Sequence, residues 1–275
     1  MKMKKRVKII VIVIAVLIIL VIIGISAKSY FFNEKEKFEV DNLFLKVSIE
    51  EDGISSNNIK VTNPDSQKRH FSAVLKGVDI GKIENKEFDL EAGEEANIQI
   101  IFESKDKEPG IYAGEIQVLT DGEIKKIPVV LEIHSKEVLF GSIVNILQQG
   151  NEVLPEQKIN AEIKIFDLSN IGRSNVNVVY FIKDFEGNTL LSETEDLIID
   201  GRLDYSKSFD IVKSKNENYV LGVIVRYEES VGTSSRYFKM SENQEVLSSE
   251  KSSLWLILIF AFFFFLFLIL FAYSF

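Results

Sequence analysis

Cysteine is absent from the 275 residues, and histidine occurs only twice. No disulfide can staple the chain, and thiolate chemistry and Cys-ligated metals are excluded. His70 lies on an early predicted strand and His134 at a predicted domain junction. Two separated histidines fall short of the three or four convergent ligands of a zinc site, and they read as ordinary strand residues. No Gly-x-Ser-x-Gly elbow marks a serine nucleophile, and no Walker or dinucleotide glycine loop marks a phosphate cradle. The Asp-x-Asp-x-Asp-Gly spacing of a calcium loop is also missing. The acidic clusters Glu50-Glu51-Asp52 and Glu91, Glu94, Glu95 therefore read as solvated turns. No Asn-x-Ser/Thr sequon occurs, so standard N-glycosylation is not expected. The sequence thus nominates no catalytic residue, no metal ligand and no cofactor site, and the expectation is a protein that is not an enzyme.

Basic charge is scarce where a nucleic-acid ligand would need it. Five of the 32 basic residues crowd the first eight positions and one is Lys251, which leaves 26 between residues 28 and 250. All 41 acidic residues fall in that stretch, for a formal net charge of −15. A nucleic-acid surface needs the opposite sign. An acidic surface instead suits solubility, cations or basic partners.

Apolar residues are abundant and concentrated at both ends. Leu254 to Ala272 is apolar without interruption, close to the ~20 residues that cross a ~30 Å hydrocarbon core as a helix. Trp255 and Tyr273 stand near its two ends, where amphipathic rings favour the headgroup region, and are the expected membrane-interface residues. Phe262 to Phe265 form a block for lipid or helix packing, without the small-xxx-small spacing of close helix pairs. Near the other end, Ile9 to Ile25 is almost all Ile, Val and Leu behind Lys2, Lys4, Lys5, Arg6 and Lys8. That basic flank predicts a cytoplasmic N-terminus. The run is either a signal anchor or a cleavable signal peptide, because Gly24-Ile25-Ser26-Ala27 offers small residues for cleavage. Either way, the residues after it are expected to be exported.

The stretch between reads as strands nearly throughout. "NLFLKVSIE", "NNIKVTN", "HFSAVLKGV", "KEFDLEAG", "ANIQIIFES", "IYAGEIQVLT" and "IKKIPVVLEIH" alternate with a period near two. Turn formers divide them, among them Asn63-Pro64-Asp65 and Pro109-Gly110, and Asp121-Gly122 is a strong two-residue hairpin signal. Seven such runs in about 100 residues predict an immunoglobulin-like sandwich. A second set of seven runs from "EVLFGSIVNIL" through "TLLSETE" and "YVLGVIVRYEE" to "SSRYFKM". Asn63 and Asn170 each follow a predicted second strand, and Tyr112 and Tyr219 each open a predicted sixth; both pairs are offset by 107 positions. The shared offset favours a tandem pair of similar modules. A tyrosine at such a corner can pin the loop through its hydroxyl.

"FDLSNIGRSNVNVVYFIKDFEGNTL", with "NYVLGVIVRYEE" later, resembles the CARDB and NEW3-like immunoglobulin-fold modules of archaeal and bacterial surface proteins. Asn170, Gly172, Asp184 and Gly187 match the Asn-x-Gly and Asp-x-x-Gly turns of that pattern. The first half, with "VTNP" and "EPGIYAGEIQV", is similar to the same broad group, near the ASH and major-sperm-protein-like sandwiches. The resemblance implies an envelope-exposed binding or spacer module and carries over no catalytic residue. Since NEW3-like modules often accompany glycosidases, Tyr180, Tyr205, Tyr227 and Tyr237 form a candidate sugar platform, although aromatics are also simply favoured in strands.

The expected architecture is all-β. Two tandem seven-stranded immunoglobulin-like sandwiches, 36–135 and 136–241, are flanked by N- and C-terminal transmembrane helices, the first in 1–27 behind its cytoplasmic basic flank (or a signal peptide there) and the second at 254–275. A short stalk, 242–253, joins the second sandwich to that helix. The short link His134-Ser135-Lys136 predicts an end-to-end pair. The expected role is a non-catalytic, membrane-anchored binding or spacer protein of the cell envelope. The alternatives are an accessory subunit of a larger membrane complex and a carbohydrate-binding module. Expected partners are the lipid bilayer and a protein, with carbohydrate as a further class and nucleic acid excluded.

Overall fold

Alternation in the sequence becomes alternation across a sheet wherever one face meets solvent. In "LKVSIE", Leu45, Val47 and Ile49 point into the core while Lys46, Ser48 and Glu50 point out. The structure, a computed structural model, describes residues 37–154, 157–210 and 217–240. Both terminal apolar runs, the 242–253 stalk, Trp255 and Tyr273 lie outside the described residues. Among the described residues no helix is long and apolar enough to cross a membrane.

Among the described residues the first half contains nine strands. They are β1 (Glu39–Val40), β2 (Leu45–Glu50), β3 (Ile54–Thr62), β4 (Arg69–Lys76) and β5 (Gly81–Ile83). After these come β6 (Glu87–Leu90), β7 (Glu95–Glu103), β8 (Gly110–Thr120) and β9 (Glu123–His134). A four-stranded sheet in the order β1-β3-β7-β5 faces a five-stranded sheet in the order β2-β9-β8-β4-β6. Between them lies a core that includes Phe38, Ile59, Phe71, Ile98, Ile100, Phe102 and Val129.

Among the described residues the second half contains eight strands. They are β10 (Phe140–Ile146), β11 (Glu152–Val153), β12 (Ile159–Asp167) and β13 (Ser174–Asp184). The rest are β14 (Thr189–Ile199), β15 (Arg202–Phe209), β16 (Asn218–Tyr227) and β17 (Ser230–Met240). A three-stranded sheet β10-β12-β15 faces a five-stranded sheet β11-β17-β16-β13-β14 over a second core, built around Tyr180, Phe209, Tyr219 and Phe238. Both halves share one plan, in which the last strand lies between the penultimate strand and a short early strand parallel to it: β2 with β9, and β11 with β17. This is the immunoglobulin-like sandwich.

Seven strands per half are expected from the sequence; the described residues form nine and eight. The additional ones, β1, β5 and β11, are two or three residues long. A run that short cannot display a period of two. The Asp121-Gly122 signal corresponds to a tight hairpin, with both residues at positive φ (41° and 82°) and Thr120 paired to Glu123.

The two sandwiches meet face to face, not end to end. Ile111, Ala113 and Val130 on the outer face of the β9-β8 sheet pack against Phe181, Val220, Ile224 and Val231 of the other five-stranded sheet and against Phe185 of its β13–β14 turn. Burying such side chains contributes about 1.5–3 kcal/mol each. The fit depends on Gly222, which pairs across the ladder with Phe181. A Cβ there would stand 2.2 Å from the Phe181 ring, so the ring lies over the glycine backbone. Polar contacts flank the apolar centre. The Lys46 ammonium pairs with Glu132 at 2.9 Å and donates to the Ser235 carbonyl at 2.9 Å. The end-to-end expectation fails because the link is held against the second sandwich. Ser135 N–H donates to the Val231 carbonyl (3.1 Å), Val231 N–H donates to Ser135 Oγ (2.9 Å), and Leu139 N–H donates to Ser230 Oγ (2.8 Å).

Candidate interaction surface

Several of the residues singled out from the sequence organise turns. Asn63 is fully buried after β3. Its amide donates to the carbonyls of Gln67 (2.8 Å), Leu90 (3.1 Å) and Glu91 (3.1 Å), and its Oδ1 accepts from Asp65 N–H (3.1 Å). Asn170 stands in the equivalent loop after β12, exposed and at φ 56°. There Asp167 ties the turn, accepting from the N–H groups of Ser169 and Gly172 at 2.9 Å each, with Gly172 at φ 87°. Burial works to raise the Asp167 pKa, but the N–H groups of Gly172, Ser169, Ile171 and Asn170 outweigh it and hold the carboxyl below its ordinary value.

Tyr112 donates its hydroxyl to the Glu108 carbonyl at 2.8 Å, four residues upstream. Tyr219, in the corresponding strand, is fully buried and stacks on Phe238 with ring centroids 5.4 Å apart. Asp184 closes the β13–β14 turn. It accepts from the N–H groups of Glu186 (3.0 Å) and Asn188 (2.8 Å) and from the Asn188 amide (2.8 Å), while Gly187 supplies φ 96°. That turn presents Phe185 to the first sandwich.

The four tyrosines of the candidate sugar platform do not form an exposed row. Tyr180 is fully buried. Tyr205 points at it across the core mouth, and Tyr227 packs on Phe140 at 5.1 Å. Tyr237 lies at the sandwich interface against Phe44 (4.9 Å) and Phe185 (6.1 Å). The histidines are apart: His70 meets Asp89 at 2.8 Å, and His134 faces the Ser135 carbonyl at 3.0 Å. Among the described residues no group of three or more His, Asp or Glu side chains could hold a metal ion. The acidic clusters are ion-paired turns, with Asp52 on Lys136 (2.7 Å), Glu91 on Lys68 (3.1 Å) and Glu95 on Lys60 (3.1 Å).

The more distinctive surface is the side of the second sandwich where β14 and β15 form the rims of their sheets. β14 is bonded only to β13, and β15 only to β12, so among the described residues each has one unpaired backbone edge. They are eleven and eight residues long. The corresponding rim of the first sandwich consists of β5 and β6, three and four residues long. Short edge strands are how sheets commonly avoid templating another strand; the second sandwich does not use this device.

Polar groups close the mouth between β14 and β15. Tyr180 donates to the Glu195 carboxylate, which can only accept, and therefore takes its own hydrogen bond from Tyr205. Lys207 pairs with Glu193 at 3.2 Å and Glu195 at 3.3 Å, and its ammonium sits 4.7 Å from the Tyr180 ring centroid. Burial first, then Glu195 and Tyr205, push the Tyr180 phenol up; burial raises Tyr205 to about 12. On the other face, Asn177 donates to Asp196 at 2.9 Å. The run "TLLSETE" covers only the first part of this strand, so the sequence does not announce the rim at its full length. A signal is nonetheless there in Leu191, Glu193, Glu195 and Leu197, which share one face at a spacing of two.

No protein-family model matches the sequence, and no curated protein matches it. Among solved structures the chain is similar to the ASH/PapD-like domain of human CEP192, at 15% identity over 37% of this chain and 87% of that one (TM-score 0.32). It is also similar to a protein of unknown function from Porphyromonas gingivalis W83, at 10% identity over 75% and 99% (TM-score 0.40). A third is the Salmonella enterica SafA pilin in complex with the SafB chaperone, at 12% identity over 74% and 94% (TM-score 0.31). Likenesses of this size carry no functional inference to the present chain.

Proposed function

We propose that the chain is a membrane-anchored, extracytoplasmic binding module of the cell envelope, non-catalytic, with its N-terminus in the cytoplasm and a protein as its partner. The single observation that carries the binding role is the pair of long, unpaired edge strands on the second sandwich, set against the blunted rim of the first. The basic flank and apolar run at one end, and the uninterrupted run 254–272 at the other, support the anchoring. The turns at Asn170-x-Gly172, with both residues at positive φ, and at Asp184-x-x-Gly187 support placing the module in the CARDB/NEW3-like group. A carbohydrate platform has no support from the tyrosines, which are buried or engaged elsewhere.

The reading is tested in intact cells. Protease added outside should digest residues 36–250, and cross-linking from the second sandwich, followed by purification in detergent, should capture a defined protein in constant ratio. Full protection of 36–250 would invert the topology. A chain that cross-links to nothing while remaining accessible would leave a spacer in place of a binding module.

A further inference from the structure

We propose that β14 is a strand-addition site whose occupant is an extended basic segment of another protein. The proposal rests on the binding-module reading and names the chemistry of the partner. An extended segment that adds to a sheet edge gains affinity from main-chain hydrogen bonds and specificity from alternate side chains. β14 offers both, with eleven residues of one-sided ladder and two differently lined faces. On the core side lie Leu191, Glu193, Glu195 and Leu197; on the other lie Ser192, Thr194, Asp196 and the exposed Ile198. A strand laid alongside would cover the mouth where Tyr205 and Lys207 close the core.

Charge selects among occupants. Among the described residues, Glu193 and Glu195 share Lys207 as their cation and Asp196 takes only the neutral Asn177 amide, so the edge there carries three carboxylates against one ammonium. Like charges directly opposite one another destabilise a strand pair, and opposite charges stabilise it. In a second copy paired antiparallel about Thr194, each Glu193 would stand opposite the other copy's Glu195. The formal charge of −15 between residues 28 and 250 adds to that repulsion. A segment with lysine or arginine at alternate positions meets the same carboxylates favourably. The charges that guard a long edge against self-pairing thus admit a cationic strand.

The test uses the full chain in detergent micelles and a synthetic peptide of about 12 residues, alternating lysine and valine. Its controls are a version with glutamate for lysine and a version N-methylated at alternate residues, which keeps the charge and loses the ladder. The lysine peptide should bind and protect the amides of 189–199 from hydrogen exchange. N-methylation should weaken binding by about tenfold or more, as should the exposed double substitution Thr194→Lys with Asp196→Lys at unchanged melting temperature; the glutamate peptide should not bind. Equal binding of the N-methylated peptide would reduce the effect to charge and overturn the proposal. Protection elsewhere with 189–199 unchanged would overturn the β14 site and leave the binding-module reading standing. Concentration-dependent dimers that protect 189–199 without peptide would make a second copy the occupant and overturn the basic-strand assignment.

Discussion

Both polar atoms of the Asn63 side chain are engaged, tying its own turn to the β6–β7 turn through three carbonyls and one N–H. Asn63→Ala should therefore cost about 1–3 kcal/mol, because buried carbonyls lose their donor. Tyr112→Phe removes a single hydroxyl-to-carbonyl bond and should cost about 0.5–1.5 kcal/mol, both read by urea denaturation. Unchanged midpoints would show that water replaces these bonds at no cost. Residues 107 positions apart stand after β3 and β12 and in β8 and β16, yet their roles differ. Asp167, not Asn170, ties the second turn, since sequence position alone does not reveal which side chain the backbone turns inward. The Tyr180–Tyr205 pair gives a prediction in pH. Both phenols are held above their ordinary value of 10 in the folded state, Tyr205 at about 12. The folded chain thus holds protons that the unfolded chain releases, so this contribution is complete below pH 10 and is lost as pH rises through 12. Absorbance titration should show the Tyr180 and Tyr205 phenols ionising late, together with unfolding. If both titrate near 10 in the folded protein, the network is open to solvent.

Elements were legible in proportion to their length. All fourteen runs marked by alternation correspond to strands, whereas the two- and three-residue strands β1, β5 and β11 carry no pattern to read. Continuous apolar runs carry a second kind of information. β16 is buried at seven consecutive positions, from Tyr219 to Val225, and β9 at seven, from Ile127 to Ile133. Continuous burial means that both faces of a strand are covered, by the core on one side and by the other sandwich on the opposite side. Gly222 sits in the middle of such a strand because the Phe181 ring occupies its missing side chain's place. Gly222→Ala should displace that ring and cost about 1–3 kcal/mol of overpacking. A change within about 0.5 kcal/mol would mean that the ring is free to move and does not anchor the interface.

At the scale of the described unit, the relation between the sandwiches was the least legible feature. A short link suggests an end-to-end pair only when nothing else holds it. Here Ser135 and Leu139 are bonded to the segment Glu229–Val231, and the faces of β8, β9, β13, β16 and β17 supply a third apolar cluster. The consequence is thermodynamic coupling: neither five-stranded sheet can lose its partner without exposing Ile111, Val130, Phe181 and Val220. Differential scanning calorimetry of the full chain, wild type and Ile111→Asp, tests this most directly, because Ile111 faces the other sandwich and belongs to neither core. The face-to-face account predicts one transition for the wild type and two separated transitions for the variant, with the second sandwich melting on its own. Two independent transitions already in the wild type, unmoved by the substitution, would contradict it.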